Sequence, residues 1–373
     1  MRLSRKAHRH DAHLLAALRL ARSRTIGPSL WRRLVERFGD PQSALQALPD
    51  LAKRGGKREA LEICTLDAAE AELEALRALG GRMLVLGEGD YPMALAAIAD
   101  PPPILAVLGE IELLHRNSIG IVGARNASLN GRRIAGELAD GLGAQGLVVV
   151  SGLARGIDTA AHQAALASGT IACVAGGIDQ IYPAENEQLY RDIAGQGAIV
   201  AEAPLGAAPT ARHFPRRNRV IAGLSLGTVV VEASLGSGSL ITARLALEQD
   251  RDVFAVPGSP LDPRCRGSND LLRQGAHLVE NAADVMENLT PIDPHAPPAP
   301  RPARMKVVRQ TEAPALEPIA PEALEKLLGP APTEIDELVR RSGASAASVA
   351  ANLLELELAG RLERHADNTV SLL

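Results

Sequence analysis

The sequence predicts an α/β protein built around a doubly wound, mostly parallel sheet of the extended Rossmann-like type. Two observations lead to this prediction. Short, continuously apolar segments recur through the middle of the chain, at 118–122, 147–150, 171–175, 198–201, 228–231 and 253–256. Helical stretches lie between most of them, for example at 132–144 and 159–167. Strands that are apolar on both faces and alternate with helices are typical of a parallel sheet covered by helices on both sides.

The composition indicates a globular chain with an aliphatic core. With 373 residues, the chain has room for two or three domains of roughly 100 to 200 residues each. Hydrophobic residues make up 46% and aromatic residues only 2%, so Ala, Leu, Val and Ile must fill the core. Every apolar run is far shorter than the ~20 residues that a membrane-spanning helix needs. We therefore expect no membrane segment and no membrane partner.

The cysteines indicate a reducing compartment. Cys64, Cys173 and Cys265 are far apart and form no CxxC pair, which argues against a disulfide framework and against a zinc site. We therefore expect a cytoplasmic protein. The Arg-rich, acid-poor start of the chain also resembles an organellar transit peptide, but its pattern continues directly into helical spacing.

Residues 1–81 are predicted to form an N-terminal helical domain. Apolar residues follow helical spacing from about 13 to 48, interrupted by the tight turn TIGPS at 25–29, in which Ser29 can cap the second helix. Two short helices joined by a glycine-containing turn resemble a SAM-like or helix–hairpin–helix domain. DNA binding and plain helical packing are both compatible with this domain.

The Rossmann-like core is expected over 82–290. Two further β-like segments, at 83–86 and 104–108, can extend its sheet. Nine prolines then fall within 291–321, a composition that buries no core and is typical of an extended linker.

Residues 322–373 are predicted to form a winged-helix-like domain. Helices are expected at 334–341 and 345–358, followed by a small hairpin made of 360–364 and 369–372. Such domains bind DNA or mediate protein contacts, and the acids near the final helix favour protein contacts.

Glycine-rich loops follow several of the predicted strands. Ligands of an open parallel sheet bind at the carboxyl ends of its strands. Four such loops in this chain carry glycine, namely GARNAS at 123–128, SGLARGID at 151–158, GG at 176–177 and SLGSGS at 234–239. Glycine lets a backbone approach a ligand closely, and the free N–H groups at a helix start favour an anion. The residues expected to form a phosphate nest are Gly123, Ser128, Gly152, Gly236, Ser237, Gly238, Ser239 and Thr242.

Arginines and one aromatic residue accompany these loops. The segment FPRRNRVIAGLS at 214–225 places three arginines before an apolar run, and two more arginines stand in the first two loops. An arginine fork pairs with two phosphate oxygens and stacks on bases, so a nucleic-acid strand suits this set better than a single phosphate. The residues expected to contact the strand are Arg125, Arg155, Phe214, Arg216, Arg217, Asn218 and Arg219.

Each of these residues also has a purely structural alternative. The glycines can serve only as tight turns, and the arginines can pair with nearby acids such as Asp158. Phe214 can stack on a base, which is worth ~1–3 kcal/mol, or pack in the core beside Pro215. Asn218 can cap its helix or contact the strand. The convergence of four loops and the arginines on one sheet edge favours an anion site.

Other chemistries lack their motifs. The chain has no GxxxxGK[ST], and its first core strand ends in GARNAS and not in GxGxxG, so neither a phosphate-loop ATPase nor ordinary dinucleotide binding is indicated. No HExxH, His/Cys cluster or acid pair indicates a metal. Ser151, Asp158 and His162 could be drawn as a triad, but GxSxG is absent and His162 follows Asp158 by one helical turn, as a packing or capping histidine would. We expect no catalytic residue, no metal and no cofactor.

A set of motifs identifies a family resemblance. VGARNAS, SGLARGIDTAAH, GGIDQIYPAEN, FPRRNRVIAGLS, GSGSLITARLALEQDRDVFAVPG and GSNDLLRQGA occur in this order between 121 and 276. Together they resemble the DNA-processing protein A family, called DprA or Smf. The resemblance is specific over 82–290 and looser for the two terminal domains.

The resemblance implies a bacterial cytoplasmic protein that binds single-stranded DNA without cutting it. Such a protein protects incoming strands in natural transformation, helps to load the RecA recombinase and works as a homodimer. Carried onto this sequence, the family's pattern implies that Arg125 and the 216–219 cluster hold the phosphates of the strand, with Arg155 nearby. The turn at 236–239, with Thr242, corresponds to the phosphate-nest position of the fold.

An enzyme is the alternative. The fold and the GSGS turn also resemble the lysine-decarboxylase-like nucleotide phosphoribohydrolases, which release a base from a nucleotide. Those enzymes carry a PGGxGT turn with an acid one helical turn later, whereas here the turn is GSGSLIT and the next acid is Glu248. We therefore expect no enzymatic activity.

Overall fold

The computed structural model describes residues 2–24, 26–54 and 62–290, and in the C-terminal part 324, 327–329, 333–344, 349, 353, 362–364 and 369–372. The chain divides into two compact units, Met1–Met305 and Lys306–Leu373, which are described separately. The predicted linker 291–321 lies outside the described residues, as does most of the helix predicted at 345–358.

The first unit begins with four helices, namely α1 (Arg2–Arg22), α2 (Pro28–Phe38), α3 (Pro41–Arg54) and α4 (Leu66–Ala78). The predicted cap at Ser29 is wrong, because α2 begins at Pro28 with Gly27 as its N-cap; proline suits the first helical position, where its missing N–H has no partner to lose. The Trp31 indole donates to the carbonyl of Ala17 at 3.3 Å and ties α2 to α1. Leucines of α1, α3 and α4 pack in the same hydrophobic cluster as residues of the sheet, so helices and sheet share a core.

The sheet of the first unit has nine strands in its described part: β1 (Arg82–Val85), β2 (Ile104–Gly109), β3 (Ser118–Val122), β4 (Val148–Ser151), β5 (Thr170–Val174), β6 (Ala198–Ala201), β7 (Gly227–Val230), β8 (Asp252–Ala255) and β9 (His277–Leu278). Their spatial order is β1-β2-β6-β5-β4-β3-β7-β8-β9. β2 pairs antiparallel with both β1 and β6, and the other pairs are parallel. The predicted doubly wound, mostly parallel sheet is thus confirmed.

Helices cover both faces of this sheet: α5 (Met93–Ala96), α6 (Leu129–Ala144), α7 (Ile157–Ala165), α8 (Glu187–Gln196), α9 (His213–Leu224), α10 (Gly238–Glu248), α11 (Arg266–Arg273) and α12 (Ala282–Asn288). α6, α7 and α12 pack in one cluster with Ile119, Ile121 and Phe254. α9, α10 and α11 pack in another cluster with Val122 and Val150 on the opposite face. Alternate residues of β3 therefore point into different cores, which explains why its whole sequence is apolar.

Two helices begin earlier than predicted. The helix predicted at 132–144 is Leu129–Ala144, because the Ser128 hydroxyl accepts from the Gly131 N–H and caps it. The helix predicted at 159–167 is Ile157–Ala165 and follows directly on Gly156, whose φ is +83°. The loops after β3 and β4 are therefore short and lead directly into α6 and α7. Their short length restricts where the loop side chains lie.

In the second unit the described residues form α13 (Ile335–Ser342) and a three-stranded antiparallel sheet of β10 (Thr333–Glu334), β11 (Leu362–Arg364) and β12 (Thr369–Leu372) in the order β10-β12-β11. Leu338, Leu353 and Val370 are buried at its centre. A helix followed by an antiparallel hairpin is the arrangement that the sequence predicts for a winged helix.

Candidate nucleic-acid interface

A narrow pocket opens at the carboxyl ends of β4 and β5. Loops that follow β3, β4 and β5 form its wall, and the first turn of α9 closes it. Five of the predicted site residues line the pocket, namely Arg125, Gly152, Arg155, Phe214 and Arg217. The sheet thus brings together residues that lie up to 92 positions apart in the chain.

The loops that carry Arg125 and Arg155 are packed backbone against backbone. A Cβ at Gly156 would lie 2.3 Å from the carbonyl oxygen of Ala124, so only glycine allows this approach. The N–H of Ile157 donates to the same carbonyl at 3.3 Å. Arg125 and Arg155 are both exposed, and Arg155 lies 3.5 Å from Glu185, with both side chains well exposed to solvent. Two available guanidinium groups therefore stand on adjoining loops.

Phe214 is half-buried and has arginines beside its ring. The guanidinium carbon of Arg125 is 4.9 Å from the ring centroid, and that of Arg217 is 5.9 Å away. Tyr182 meets the ring edge-on, with centroids 5.9 Å apart. A cation over an aromatic face is attracted by the quadrupole of the ring. The core alternative for Phe214 is therefore wrong, because the ring lines a pocket beside an exposed cation.

Arg217 is buried and holds the loop after β4. Its Nη1 donates to the carbonyls of Gly152 and Cys173. Burial lowers the pKa of Arg217, and the carboxylate of Asp158 opposes that shift. Asp158 in turn accepts from the N–H groups of Gly152 at 3.1 Å and Ala154 at 3.3 Å. The loop that presents Arg155 is thus fixed from both sides by a buried cation and a buried carboxylate.

Arg219 is also buried, whereas Arg216 is exposed. Nη2 of Arg219 lies 2.6 Å from Oε1 of Glu202, and its Nε lies 3.4 Å from Asp100. Arg216 is 3.5 Å from Glu202, and its side chain keeps 59% of its surface exposed. The structure therefore differs from the expectation that all three arginines are available to contact a strand. Residues 217 and 219 belong to the part of α9 that packs into the fold, so only Arg216 projects into solvent.

Asn218 connects two elements inside the protein. Its Nδ2 donates to the carbonyl of Gly238 at 3.2 Å, and its Oδ1 accepts from Nε of Arg217 at 3.2 Å. The residue is 7% exposed. It therefore acts neither as the cap of α9 nor as an exposed contact, but ties α9 to the first residue of α10.

Two of the predicted phosphate positions already hold a carboxylate of the protein. The N–H of Ser128 donates to Oε2 of Glu232 at 2.9 Å, and its hydroxyl donates to Oε1 at 2.5 Å. Gly131 leaves room for this carboxylate, because a Cβ there would lie 2.5 Å from its carbon. Gly152 donates to Asp158 in the same way. The expectation of open nests at these two loops thus differs from the structure, since each internal anion satisfies the N–H groups.

The remaining nest candidates do not line the pocket. Gly123 is packed between Ile157 and the backbone of Glu232. Ser237 caps α10 by accepting from the N–H of Ser239 at 3.3 Å, and Thr242 is 1% exposed. The turn therefore keeps its predicted position at a helix start without reaching the pocket around Phe214.

Glu232 is the site-forming residue that the motif analysis missed. It stands directly after the apolar segment TVVV of 228–231. A single acid directly after an apolar strand is the sequence signal that could have identified Glu232. Its partner Ser128 could not be predicted, because the pairing of β3 with β7 is visible only in the structure.

Ser151, Asp158 and His162, which could be drawn as a catalytic triad, form other hydrogen bonds in the structure. Ser151 donates to the carbonyl of Ile121 at 2.6 Å. His162 accepts from the N–H of Leu153 at 3.3 Å and lies 2.7 Å from the hydroxyl of Thr170. Burial, together with the charge of Arg217, lowers the pKa of His162 to about 3. His162 is therefore a neutral, buried histidine, and the sequence prediction of a packing role is confirmed.

Two further findings concern the described residues as a whole. Among them, no group of three or more His, Cys, Asp or Glu side chains could hold a metal ion. None of the helices in the described part of the chain is long and apolar enough to cross a bilayer.

The chain matches family profiles in three places. The profile of "DNA recombination-mediator protein A" matches residues 82–290, that of the "DprA-like N-terminal HHH domain" matches 11–75, and that of the "DprA winged helix domain" matches 308–368.

Individual relatives agree with these profiles. Protein Smf of Escherichia coli is 42% identical over 273 residues, which cover 72% of each chain. DNA processing protein DprA of Bacillus subtilis is 44% identical over 58% of this chain and 74% of its own. The crystal structure of DprA from Streptococcus pneumoniae superposes with a TM-score of 0.64 at 34% identity, covering 74% of this chain and 97% of that one. DprA from Helicobacter pylori, described for its single-stranded DNA binding mode, gives a TM-score of 0.52 at 31% identity over 56% and 95%.

Proposed function

The chain belongs to the DNA recombination-mediator protein A family, and from that premise we propose that it is a recombination mediator that binds single-stranded DNA without cutting it. Arg125, Arg155 and Arg216 provide the exposed cations for the phosphates, and Phe214 provides a ring for a base. The single observation that carries this proposal is the Arg125 guanidinium 4.9 Å from the centroid of a half-buried Phe214 ring in a pocket.

The chemistry of the pocket suits a single strand. Arginine pairs with phosphate oxygens through a planar fork, and an aromatic face accepts any base, so the combination binds without sequence preference. A duplex keeps its bases stacked and offers no free base face to Phe214. The pocket therefore favours an unpaired strand over a duplex.

The buried members of the set position the exposed ones. Arg217 donates to the carbonyl of Gly152 in the loop after β4 and to that of Cys173 in β5, and Asn218 ties α9 to the first residue of α10. We assign Arg217, Asn218 and Arg219 this positioning role. Gly123, Gly152 and Ser128 shape the loops, and the turn with Gly236, Ser237, Gly238, Ser239 and Thr242 supports α10.

The biological role extends the proposal. We propose that the protein protects incoming strands in natural transformation, helps to load the RecA recombinase onto them, and acts as a homodimer in the cytoplasm. These parts rest on the family resemblance, and no residue of this chain is assigned to the recombinase contact or to the dimer interface.

We also propose that the protein is not an enzyme. The buried hydrogen bonds of Ser151, Asp158 and His162 support this, because none of the three side chains is free to act on a substrate. Incubation with nucleoside monophosphates tests the phosphoribohydrolase alternative, and release of free base with turnover would overturn the proposal.

The central test is a titration of a fluorescent single strand with the full chain at several salt concentrations. Affinity should fall steeply with salt, since each neutralised phosphate releases counterions. Arg125→Ala should weaken binding to every sequence and make the salt dependence shallower by about 0.7 in log–log slope. The matched control is Arg244→Ala, because Arg244 is exposed and pairs with Glu248 one helical turn later, 3.5 Å away. Equal affinities for wild type and Arg125→Ala would refute the assignment.

A further inference from the structure

A second cationic surface adjoins the pocket. It is an open groove of about 1140 Å³ between α6 and α7. Its lining includes four arginines, of which Arg132 and Arg133 lie on α6 and Arg125 and Arg155 lie on the two neighbouring loops. None of the described residues that line it is acidic. The groove therefore attracts anions along its length.

The groove is continuous with the pocket. Arg125 and Arg155 line both of them, so a chain that leaves the Phe214 ring between these two arginines enters the groove. A single small anion would occupy only one of the two spaces. A polymer with a charge on every unit fits both.

The arginines of α6 are available to a ligand. Arg132 is exposed and makes no ion pair with any carboxylate in the described part of the chain. Arg133 pairs with Glu137 at 2.7 Å, but both side chains are well exposed, at 78% and 61%. An exposed ion pair of this kind contributes little to stability, so phosphate can replace Glu137 at little cost.

The floor of the groove lets a backbone come close. Four small residues line the groove, namely Gly136, Gly156, Ala160 and Ala164. The larger side chains of the lining include those of the arginines and Gln163. The described lining has no aromatic ring on which a base could stack. A sugar–phosphate backbone, with its bases turned outward, meets these conditions.

We propose that the α6–α7 groove is a second subsite, which binds the sugar–phosphate backbone of a single strand where it leaves the Phe214 pocket, with Arg132 and Arg133 as its phosphate contacts. This inference rests on the proposed function and extends the footprint of the strand beyond the first pocket. A short strand fills the pocket alone, whereas a longer strand reaches α6.

The test compares two strand lengths with one double variant. Fluorescent strands of about 5 and about 20 nucleotides bracket the footprints of ~4–16 nucleotides seen in single-strand-binding folds. Arg132→Ala with Arg133→Ala in the full chain should reduce the log–log salt slope for the long strand by about 1.4, since each phosphate contact contributes about 0.7 for single strands. At about 0.15 M salt this corresponds to roughly tenfold weaker binding. The short strand should bind as it does to wild type.

The control variant removes the same charge from elsewhere. Arg191 and Arg244 are exposed and pair with Glu187 and Glu248 one helical turn away, so Arg191→Ala with Arg244→Ala matches the change in net charge. It should bind both strands as wild type does. Thermal unfolding of both double variants checks that the fold is retained.

The outcomes separate the two hypotheses. If the α6 variant behaves like the control on the long strand, or loses the same factor on both strands, the groove is not the second subsite. If wild type binds neither length in a salt-dependent manner, the proposed function itself is wrong and the groove proposal falls with it. A loss confined to the long strand supports both.

Discussion

The guanidinium of Arg125 lies over the ring of Phe214, 4.9 Å from its centroid. The two residues are 89 positions apart in the chain. Arg125 lies in the loop after β3, and Phe214 lies in the first turn of α9. This contact sets where a phosphate and a base would lie relative to each other. It leads to the first of four predictions about individual side chains.

Phe214→Ala should weaken single-strand binding by ~1–3 kcal/mol, the usual contribution of one base stacked on an aromatic ring. Since 1.4 kcal/mol is a factor of ten, this is about 5- to 150-fold. Fluorescence anisotropy with a homopolymer strand measures the change. Phe214→Trp should retain most of the affinity, because it keeps a stacking face. A Phe214→Ala protein that binds as tightly as wild type would remove stacking from the proposal.

Arg216 and Arg219 should respond differently to substitution. Arg216→Ala should weaken strand binding and change the free energy of unfolding by no more than about 0.5 kcal/mol, because the side chain is exposed. Arg219→Ala should cost about 2–4 kcal/mol of stability, because it leaves Glu202 without its 2.6 Å partner. Urea unfolding measures both, and Glu202→Ala added to Arg219→Ala should recover part of the loss. Equal stability of the two single variants would contradict the division of the arginines into outer and inner members.

Glu232→Ala should open an anion site at the start of α6. The carboxylate now accepts from the N–H and the hydroxyl of Ser128, and without it the helix N-terminus offers free N–H groups. We expect a lower melting temperature in chloride and a partial recovery in phosphate at equal ionic strength. Wild type should gain nothing specific from phosphate. Glu248→Ala, on an exposed glutamate of α10, is the control, and equal phosphate effects in all three proteins would indicate that the nest is already open.

His162 should make the fold less stable in mild acid. Its pKa is about 3 in the folded protein and 6.5 in the reference state, so below pH 6.5 the unfolded chain binds a proton that the native chain excludes. Stability is therefore lost as pH falls from about 6.5 towards 3, by up to about 1.4 kcal/mol per pH unit. Burial raises the pKa of Asp158, so its contribution has the opposite sign, because the native chain binds this proton more tightly than the unfolded chain does.

A substitution isolates the histidine contribution. Urea unfolding of wild type and His162→Gln between pH 4 and 7 should give a flatter dependence for the variant, because Asp158 and Arg217 are common to both proteins. His162→Gln will also lower stability at pH 7, so the slopes and not the absolute values are compared. Parallel curves would mean that His162 is protonated in the native state.

Local patterns in the sequence were sufficient to predict the sheet and the position of the pocket. Apolar runs of four or five residues separated by helical spacing specify buried parallel strands, and the carboxyl ends of such strands lie on one edge. Arg125 and Arg155 could therefore be assigned to that edge from their places directly after β3 and β4. β9 was missed because two residues show no periodicity.

The sequence could not predict which arginines face inward. Arg217 and Arg219 look the same as Arg216 in FPRRNR, but their partners are the carbonyls of Gly152 and Cys173 and the carboxylates of Glu202 and Asp100. Those groups come from other strands and loops, between 17 and 119 residues away. A buried charge is stable only where such partners converge, and convergence is a property of the packed sheet. The sequence by itself determined the fold class and the cationic edge, whereas the tertiary structure decided which side chains of that edge stay free for a ligand.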